Sequence, residues 1–470
     1  MFQATEHTPA RPRVVVIGAG LAGLAAARAL TDDGFPVQVL ESASRVGGRV
    51  FSAPFHGRTI ETGAQFPSSG YRHIPALIAA SGLSSHIEKT SPWAALEREG
   101  RLCRFHQSRL STVFTGGLLR WRECPALLRG SLSLAGGAAF RDTSSYAAFA
   151  DVDVEDAQHW CPRMFGPRAT DHLLAPLIHG FYFHPLQGCS RALVTAVMSF
   201  QGSKALAVKG GWGALPHAIA AGLNVQTGVD VESLQQVPHG WRVRCGDEVV
   251  EADWMVLAVP APTARQLLQS VIPMEQQVLD TGYAATVHVA LGMDATWTTP
   301  TDLHGVHGLL LSPDPSGMGQ GVVASMVVES ARLPVPAAPE VLTLMLTDAA
   351  ARAQVGSDDH ALVRLVLGWL ESRWPGTTDH AISHRVQRWE FAEPLSPVGR
   401  AQAIAQYRQG LPDTRRVVLC GDYMGLPWTD GAVETGLWAA DRIKRVVRKF
   451  PRLGRPPPPF SFSFTFYRFP

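Results

Sequence analysis

RVVVIGAGLAGLAAARAL (residues 13–30), followed by ESASRVGGR (residues 41–49), is the stretch that decides the fold. Val14 to Ile17 form a short β-branched apolar run, the composition of a buried parallel strand, and Gly18, Gly20 and Gly23 then give GxGxxG spacing. The first glycine permits a tight turn, the second lets backbone approach a diphosphate, and the third lets the next helix pack on the strand. That helix is expected over Leu21 to Asp32, with Leu21 and Ala22 in its first turn, where free N–H groups and the positive dipole end meet the phosphates. Glycine triplets arise by chance in a chain this rich in Gly and Ala, so the order of the surrounding features carries the weight. Asp33-Gly34 ends the helix, Val37 to Leu40 reads as a second strand, and Glu41 closes it where a carboxylate accepts hydrogen bonds from an adenosine ribose.

Glu41, Arg45, Gly47, Gly48 and Arg49 spell ExxxRxGGR, which resembles the extended FAD fingerprint of the flavin-containing amine oxidase superfamily. That group also includes protoporphyrinogen oxidases and carotenoid-type desaturases. A second glycine pair lets another backbone segment approach the diphosphate, while Arg45 and Arg49 bring fixed positive charge and planar donors. A nicotinamide enzyme has no need of this second clamp, so the resemblance implies FAD. It also implies the architecture: an α/β fold with a Rossmann-like FAD-binding domain (GR2-type) and an interleaved α+β substrate-binding domain. The FAD domain is expected in three pieces, 12–90, 203–268 and 412–450, and the substrate domain in two, 91–202 and 269–411. A Pro/Phe-rich tail, 451–470, is expected to be disordered.

At 470 residues the chain exceeds the usual single-domain size, consistent with two connected domains. Net charge is +2, so no global field calls for nucleic acid. Cys103, Cys124, Cys161, Cys189, Cys245 and Cys420 lie far apart with no CxxC, and read as reduced thiols of a reducing compartment. The first residues, MFQATEHTPARPR, lack the apolar core of a signal peptide, and no stretch is long and apolar enough for a transmembrane helix. A cytoplasmic location is expected, while the aromatic FYF at 181–183 leaves a peripheral membrane contact open. His172, His179 and His184 are spaced seven and five apart, which fits no common zinc pattern, so no metal is expected.

Several further segments are similar to superfamily motifs. By that resemblance Gly63, Ala64 and Gln65 pass beside the isoalloxazine ring, and Val231 contacts the adenine end through its backbone. MFGPRATDHLLAPLIHGFYFHPLQGCS (164–190) is similar to a stretch of protoporphyrinogen oxidases and desaturases. TVHVALG (286–292) reads as a strand with Thr286, His288 and Ala290 on one face, flooring a cavity from a half-exposed sheet. Helices are expected at about 340–355 and 358–374. RRVVLCGDYMGLPWTDGAVETGLWAADRIKRVV (415–447) resembles the closing FAD motif along almost its whole length. Gly421 and Asp422 fall where the family meets the ribityl and diphosphate. A helix beginning near Gly431, capped by Thr429 or Asp430, would turn the N–H groups of Gly431, Ala432 and Val433 toward the flavin and stabilise negative charge there.

The chain shows no nucleophile elbow, HExxH or Walker loop, so the expected reaction is dehydrogenation of a small organic substrate, with oxygen or a quinone as electron acceptor. Three departures from the amine oxidases matter. Their flavin-side lysine has His288 at the nearest matching position. Trp428 matches the second tyrosine of their aromatic cage, with no first aromatic near Pro394 and Leu395, and their tethering cysteine is missing, so FAD should be non-covalent. The reading closest to these residues is the protoporphyrinogen oxidase and desaturase branch, with Trp428 packing the substrate and His288 lining its cavity. An amine oxidase acting on a C–N bond, a non-catalytic binding protein like the Rab GDP-dissociation inhibitors, and a nicotinamide-dependent dehydrogenase are the alternatives.

Overall fold

Strand β1 (Val14–Ile17) is buried along its whole length, and each of its edges is paired in parallel, one with β2 (Val37–Glu41) and the other with a strand far away in the chain. Helix α1 (Leu21–Asp32) makes the crossover between β1 and β2. The remaining strands are β3 (Val225–Thr227), β4 (Trp254–Leu257) and β5 (Val417–Leu419), and the sheet order is β5-β4-β1-β2-β3. The computed structural model describes residues 11–450 apart from 110, 139, 140, 201, 239 and 313–320. The tail expected to be disordered, 451–470, lies outside the described residues.

One face of this sheet is covered by α1 and by the long helix α2 (Thr429–Lys449). The two helices touch through backbone. A Cβ on Gly436 would stand 2.1 Å from the carbonyl oxygen of Ala22, so the approach exists only because residue 436 is glycine. Val14, Val16, Leu24, Val39, Trp254 and Val433 meet in the resulting core.

A second sheet has seven strands in the order Ala381–Pro394, Tyr283–Met293, Val341–Leu346, Val323–Val328, Val306–Leu310, Trp93–Arg98 and Arg101–His106. It is antiparallel except where Val306–Leu310 runs parallel to Trp93–Arg98. Two expectations fail here. Val341–Leu346 is a strand where a helix was expected: its sequence VLTLML is apolar throughout, and such a run suits a strand buried on both faces as well as a helix. The helix starts only at Asp348, where the Thr347 hydroxyl accepts the Ala350 N–H at 3.1 Å. The strand Tyr283–Met293 is buried at every position, so it is covered on both faces rather than half-exposed. Val287, Val289 and Leu291 lie under the helix Asp359–Arg373, and Ala290 on the other face meets Ile60.

That second contact is reinforced by charge. The hairpin strand Arg58–Glu61 delivers Glu61 to Arg332 at 3.6 Å, and Arg332 in turn holds Glu329 at 2.6 Å, all three buried. Glu61 also accepts the Trp212 N–H at 2.7 Å and the Ser52 hydroxyl at 2.5 Å. Burial pushes the Glu61 carboxyl up to about 7, against the pull of Arg332, Ser52 and Trp212. A folded-state pKa above the unfolded one means that the folded protein holds the proton more tightly. Stability from this group is therefore fully present below the ordinary carboxyl range and is lost as pH rises toward 7.

Two predictions follow from these contacts. Thermal melts between pH 4.5 and 8 should show a decline in stability in the wild type that Glu61→Gln flattens; equal slopes in both proteins would remove Glu61 as the cause. Gly436→Val should lower stability by about 1–3 kcal/mol in urea unfolding, because the α1–α2 backbone approach leaves no room for a side chain.

Candidate active site

The three glycines of the first turn divide their work as their positions require. Gly18 has φ +102°, and a Cβ there would meet the Ala258 carbonyl oxygen at 2.7 Å. At Gly23 a Cβ would stand 1.9 Å from the Gly18 oxygen, which is the close helix–strand packing. A Cβ on Gly20 would meet no protein atom within 4 Å. Nothing in the fold demands glycine at position 20, so its bare backbone suits a group that arrives from outside, as a diphosphate would.

The second glycine pair lies against the first turn. Gly47 donates its N–H to the Ala19 oxygen at 2.8 Å, and Gly48 would bring a Cβ to 3.5 Å of the Gly20 Cα. Arg45 shapes this turn from behind: its guanidinium lies 3.7 Å from the Phe51 ring centroid and donates to the Val46 and Gly48 carbonyls. Glu41 accepts the Ala19 N–H at 2.7 Å on one carboxylate oxygen and the Ala43 N–H at 2.9 Å on the other. Each oxygen keeps lone-pair capacity for a ribose hydroxyl. Just past β3, where Thr227 pairs with Glu41, the half-buried Val231 packs against the neighbouring core.

Arg49 and Asp422 are joined by a short ion pair at 2.5 Å, and Arg49 also donates to the Ala392 carbonyl at 2.8 Å. The other Asp422 oxygen takes the Tyr283 hydroxyl at 3.1 Å and the Tyr423 N–H at 2.9 Å. Three of the carboxylate's acceptor sites are thus taken by the chain itself. Arg400 grips the same turn from beneath through the Asp422 and Gly425 carbonyls, while Gly421 exchanges hydrogen bonds with the Thr435 hydroxyl.

Helix α2 corrects the sequence reading. It starts at Thr429, two residues early, and no side chain caps it. Ala432 already donates its N–H to the Trp428 oxygen at 3.0 Å, so it has none free, and Val433 lies a further residue inside the helix. The unspent donors of the first turn belong to Thr429, Asp430 and Gly431. Glycine at 431 is required by packing, since a Cβ would stand 2.3 Å from the Leu426 oxygen. The Asp430 carboxylate caps a different helix, accepting the N–H groups of Arg72, His73 and Ile74 at 3.0, 2.9 and 2.8 Å.

Just before helix α2 the half-buried Trp428 packs edge-on to Phe200, with centroids 4.8 Å apart, and Phe200 packs edge-on to Tyr71 at 5.9 Å. The Trp428 indole N–H is buried with no acceptor. Gly63 accommodates the Arg49 carbonyl oxygen, which a Cβ would meet at 1.9 Å, and Ala64 donates to that oxygen at 2.9 Å. Gln65 donates its amide to the Glu61 and Gly63 carbonyls, leaving its own Oε1 buried and unpartnered. Two orphaned polar groups on segments that converge with the glycine turns fit an absent polar cofactor better than a finished core.

His288 is placed differently from the expectation. It is fully buried in the middle of the second sheet, between Met345 and Gln387, with both ring nitrogens unpartnered. Burial lowers its pKa to about 3, aided by Arg385 and Arg332, so the ring is neutral. A side chain with no exposed surface is core rather than cavity wall. Sequence reasoning missed Tyr71, Phe200, Tyr182 and Glu393. Tyr182 ends a helix whose next residue, Phe183, sits at φ +68°, a strained position for a non-glycine residue. Glu393 is the penultimate residue of the strand Ala381–Pro394, one residue after the carbonyl that Arg49 binds; its signal was an acid two places after Phe391 near a strand terminus.

Among the described residues no group of three or more His, Cys, Asp or Glu side chains could hold a metal, and the six cysteines are free thiols. No helix of the described residues is long and apolar enough to cross a membrane.

Comparison with known proteins agrees with this geometry. Coproporphyrinogen III oxidase of Mycobacterium leprae (strain TN) is 25% identical over 453 residues, covering 87% of this chain and 93% of that protein. Putrescine oxidase of Kocuria rosea is 30% identical over 155 residues, which span 31% of this chain and 30% of the length of that relative. The structure of cyclohexylamine oxidase from Brevibacterium oxydans IH-35A superimposes with a TM-score of 0.70 at 18% identity, covering 93% of this chain and 100% of that one, and shares the Rossmann-like α/β fold. Residues 21–444 match the model of the flavin-containing amine oxidoreductases. The chain belongs to the flavin-containing amine oxidoreductase family, and with it to the FAD-dependent oxidoreductases.

Proposed function

We propose that the protein dehydrogenates a small organic substrate at an activated C–H bond, using FAD held without a covalent tether. The observation that carries this reading is the open space in front of Gly20, beside a carboxylate and a second glycine turn already arranged for a dinucleotide. In this reading Gly18, Gly20, Gly23, Gly47 and Gly48 admit the diphosphate, and Glu41 takes the ribose. Arg49 and Asp422 hold the two flanking segments together, and Gly63, Ala64 and Gln65 border the ring system. The discontinuous segments 12–90, 203–268 and 412–450 would form the FAD unit, and 91–202 with 269–411 the substrate unit.

Bound there, FAD supplies a two-electron acceptor, which protein side chains lack. The chain positions the substrate and keeps water away. Tyr71, Phe200 and Trp428 give an aromatic wall of rings packed edge to face, and the unpartnered indole N–H of Trp428 is a donor that substrate or cofactor can satisfy. The full-length likeness to a coproporphyrinogen oxidase supports a protoporphyrinogen oxidase-like reaction. An amine oxidase reading is the second, favoured by the aromatic wall, which also suits a cation. Oxygen or a quinone would reoxidise the flavin.

The purified protein should be yellow and should release FAD on denaturation. Anaerobic mixing with a panel of amines, porphyrinogens and polyenes should bleach the flavin for one class only; a colourless protein, or a flavin that no member reduces, counts against the redox reading. Gly20→Val separates cofactor from fold. Since a Cβ there meets no protein atom within 4 Å, the cofactor-free variant should unfold within about 1 kcal/mol of wild type, while its FAD content after gel filtration should fall at least tenfold.

A further inference from the structure

A basic cavity lies at the edge of the second sheet, and it shares no lining residue with the glycine turns or the aromatic wall. Its volume is about 460 Å³, enough for a small organic ligand. The hairpin of Trp93–Arg98 and Arg101–His106 forms one side, and the helix Ser111–Thr115 with the turn Trp121–Glu123 forms the other. The sequence concentrates charge here. Residues 98–122 carry six arginines and one acid, in a chain whose net charge is only +2. Arg98, Arg101 and Arg120 line the cavity, with Glu99 as its single acid. Arg98 is fixed before any ligand arrives. Its guanidinium donates to the Gly117 and Leu118 carbonyls at 2.8 and 2.9 Å and meets Glu99 only at 3.4 Å, while its Nε–H is buried with no acceptor. Arg101 and Arg120 are exposed, and neither forms an ion pair with a described residue.

Trp121 stands beside these charges. It is the one exposed tryptophan of twelve, 61% open to solvent, and its ring stacks on Phe114 with centroids 4.7 Å apart and planes 15° apart. Phe114 is buried in a core with Cys103, Leu119 and Trp160, so the indole rests on a packed floor with the rest of its surface free. We propose that this cavity is a second ligand site and that it binds an aromatic phosphate monoester, the arginines taking the phosphate while the ring lies along Trp121. Charge decides the class. Three guanidiniums against one carboxylate leave a net charge of two, which matches a phosphomonoester dianion better than a single carboxylate. The planar fork of a guanidinium pairs with two phosphate oxygens at once, and an indole offers its flat surface to a ring. Because Arg98 is already pinned, less side-chain freedom is lost on binding. The site stands apart from the proposed dehydrogenation and does not depend on it.

The rival for such a patch is an anionic membrane, since Leu128 and Leu132 are also exposed on the following helix, Cys124–Ala138. Equilibrium dialysis of the protein as purified, with 1-naphthyl phosphate, 1-naphthol and inorganic phosphate as probes, tests the assignment. Wild type should bind 1-naphthyl phosphate saturably and at least about tenfold more tightly than either of the other two. Arg101→Ala combined with Arg120→Ala should weaken that binding at least about tenfold, with flavin content and melting temperature unchanged because both side chains are exposed. Trp121→Ala should weaken 1-naphthyl phosphate and leave inorganic phosphate as it was. No saturable binding of 1-naphthyl phosphate overturns the site. So does an arginine double variant that binds it as wild type does, which would put the probe in the nucleotide cleft. Vesicles of equimolar phosphatidylcholine and phosphatidylglycerol address the rival: a protein that floats with them but ignores the soluble probe assigns the patch to a lipid surface and overturns the small-ligand site.

Discussion

The ion pair of Arg49 with Asp422 is the point on which the site depends. Arg49 follows the second glycine turn, Asp422 follows the last strand of the parallel sheet, and the Ala392 carbonyl on the same guanidinium ends the longest strand of the other sheet. Three segments, one of them hundreds of residues from the other two, are brought to one cation. Taking either partner away would leave a poorly solvated charge facing the other segments, which is far more damaging than loss of an exposed pair. Asp422 is mostly spent within the chain, since Tyr283 and the Tyr423 N–H share one of its oxygens and Arg49 takes the other. Its carboxylate ties the last strand of the parallel sheet to the second glycine turn and to the other sheet.

Much of the nucleotide half was legible because it is local. The strand, turn, helix, strand and acid of residues 14–41 occupy consecutive positions, and each has a residue type that only one conformation favours; β1, α1 and β2 accordingly appear within a residue of where the spacing put them. The second sheet was less legible because its strands are apolar on both faces. VLTLML carries no periodicity to separate strand from helix, and the burial of His288 depends on a helix and a hairpin that come from elsewhere in the chain. The start of α2 was misplaced because the obvious capping carboxylate, Asp430, serves the helix that begins at Ile74. Propensity names the residues able to cap, and tertiary packing decides which helix they serve.

The substrate side was the least legible. Tyr71, Phe200 and Trp428 come from three separate parts of the chain, and none lies in a recognisable motif except Trp428. The aromatics read as ordinary core until they are seen together. Trp428 shows why: it packs against two separate hydrophobic clusters, one under the parallel sheet and one among the helices around Ala157–Phe165 and Ala175–Tyr182. It is at once core for both.

The strand order of the parallel sheet has a consequence for how such a chain is made. On a ribosome, β1 and α1 emerge first, but the second neighbour of β1 is Trp254–Leu257, which appears only when more than half the chain has been synthesised, and Val417–Leu419 comes later still. Until then a wholly apolar strand has one edge open to any other strand, the condition under which nascent chains stick to one another. Joining early and late segments closes the nucleotide cleft in the finished protein, and the same arrangement makes the growing polypeptide depend on shielding through most of its translation.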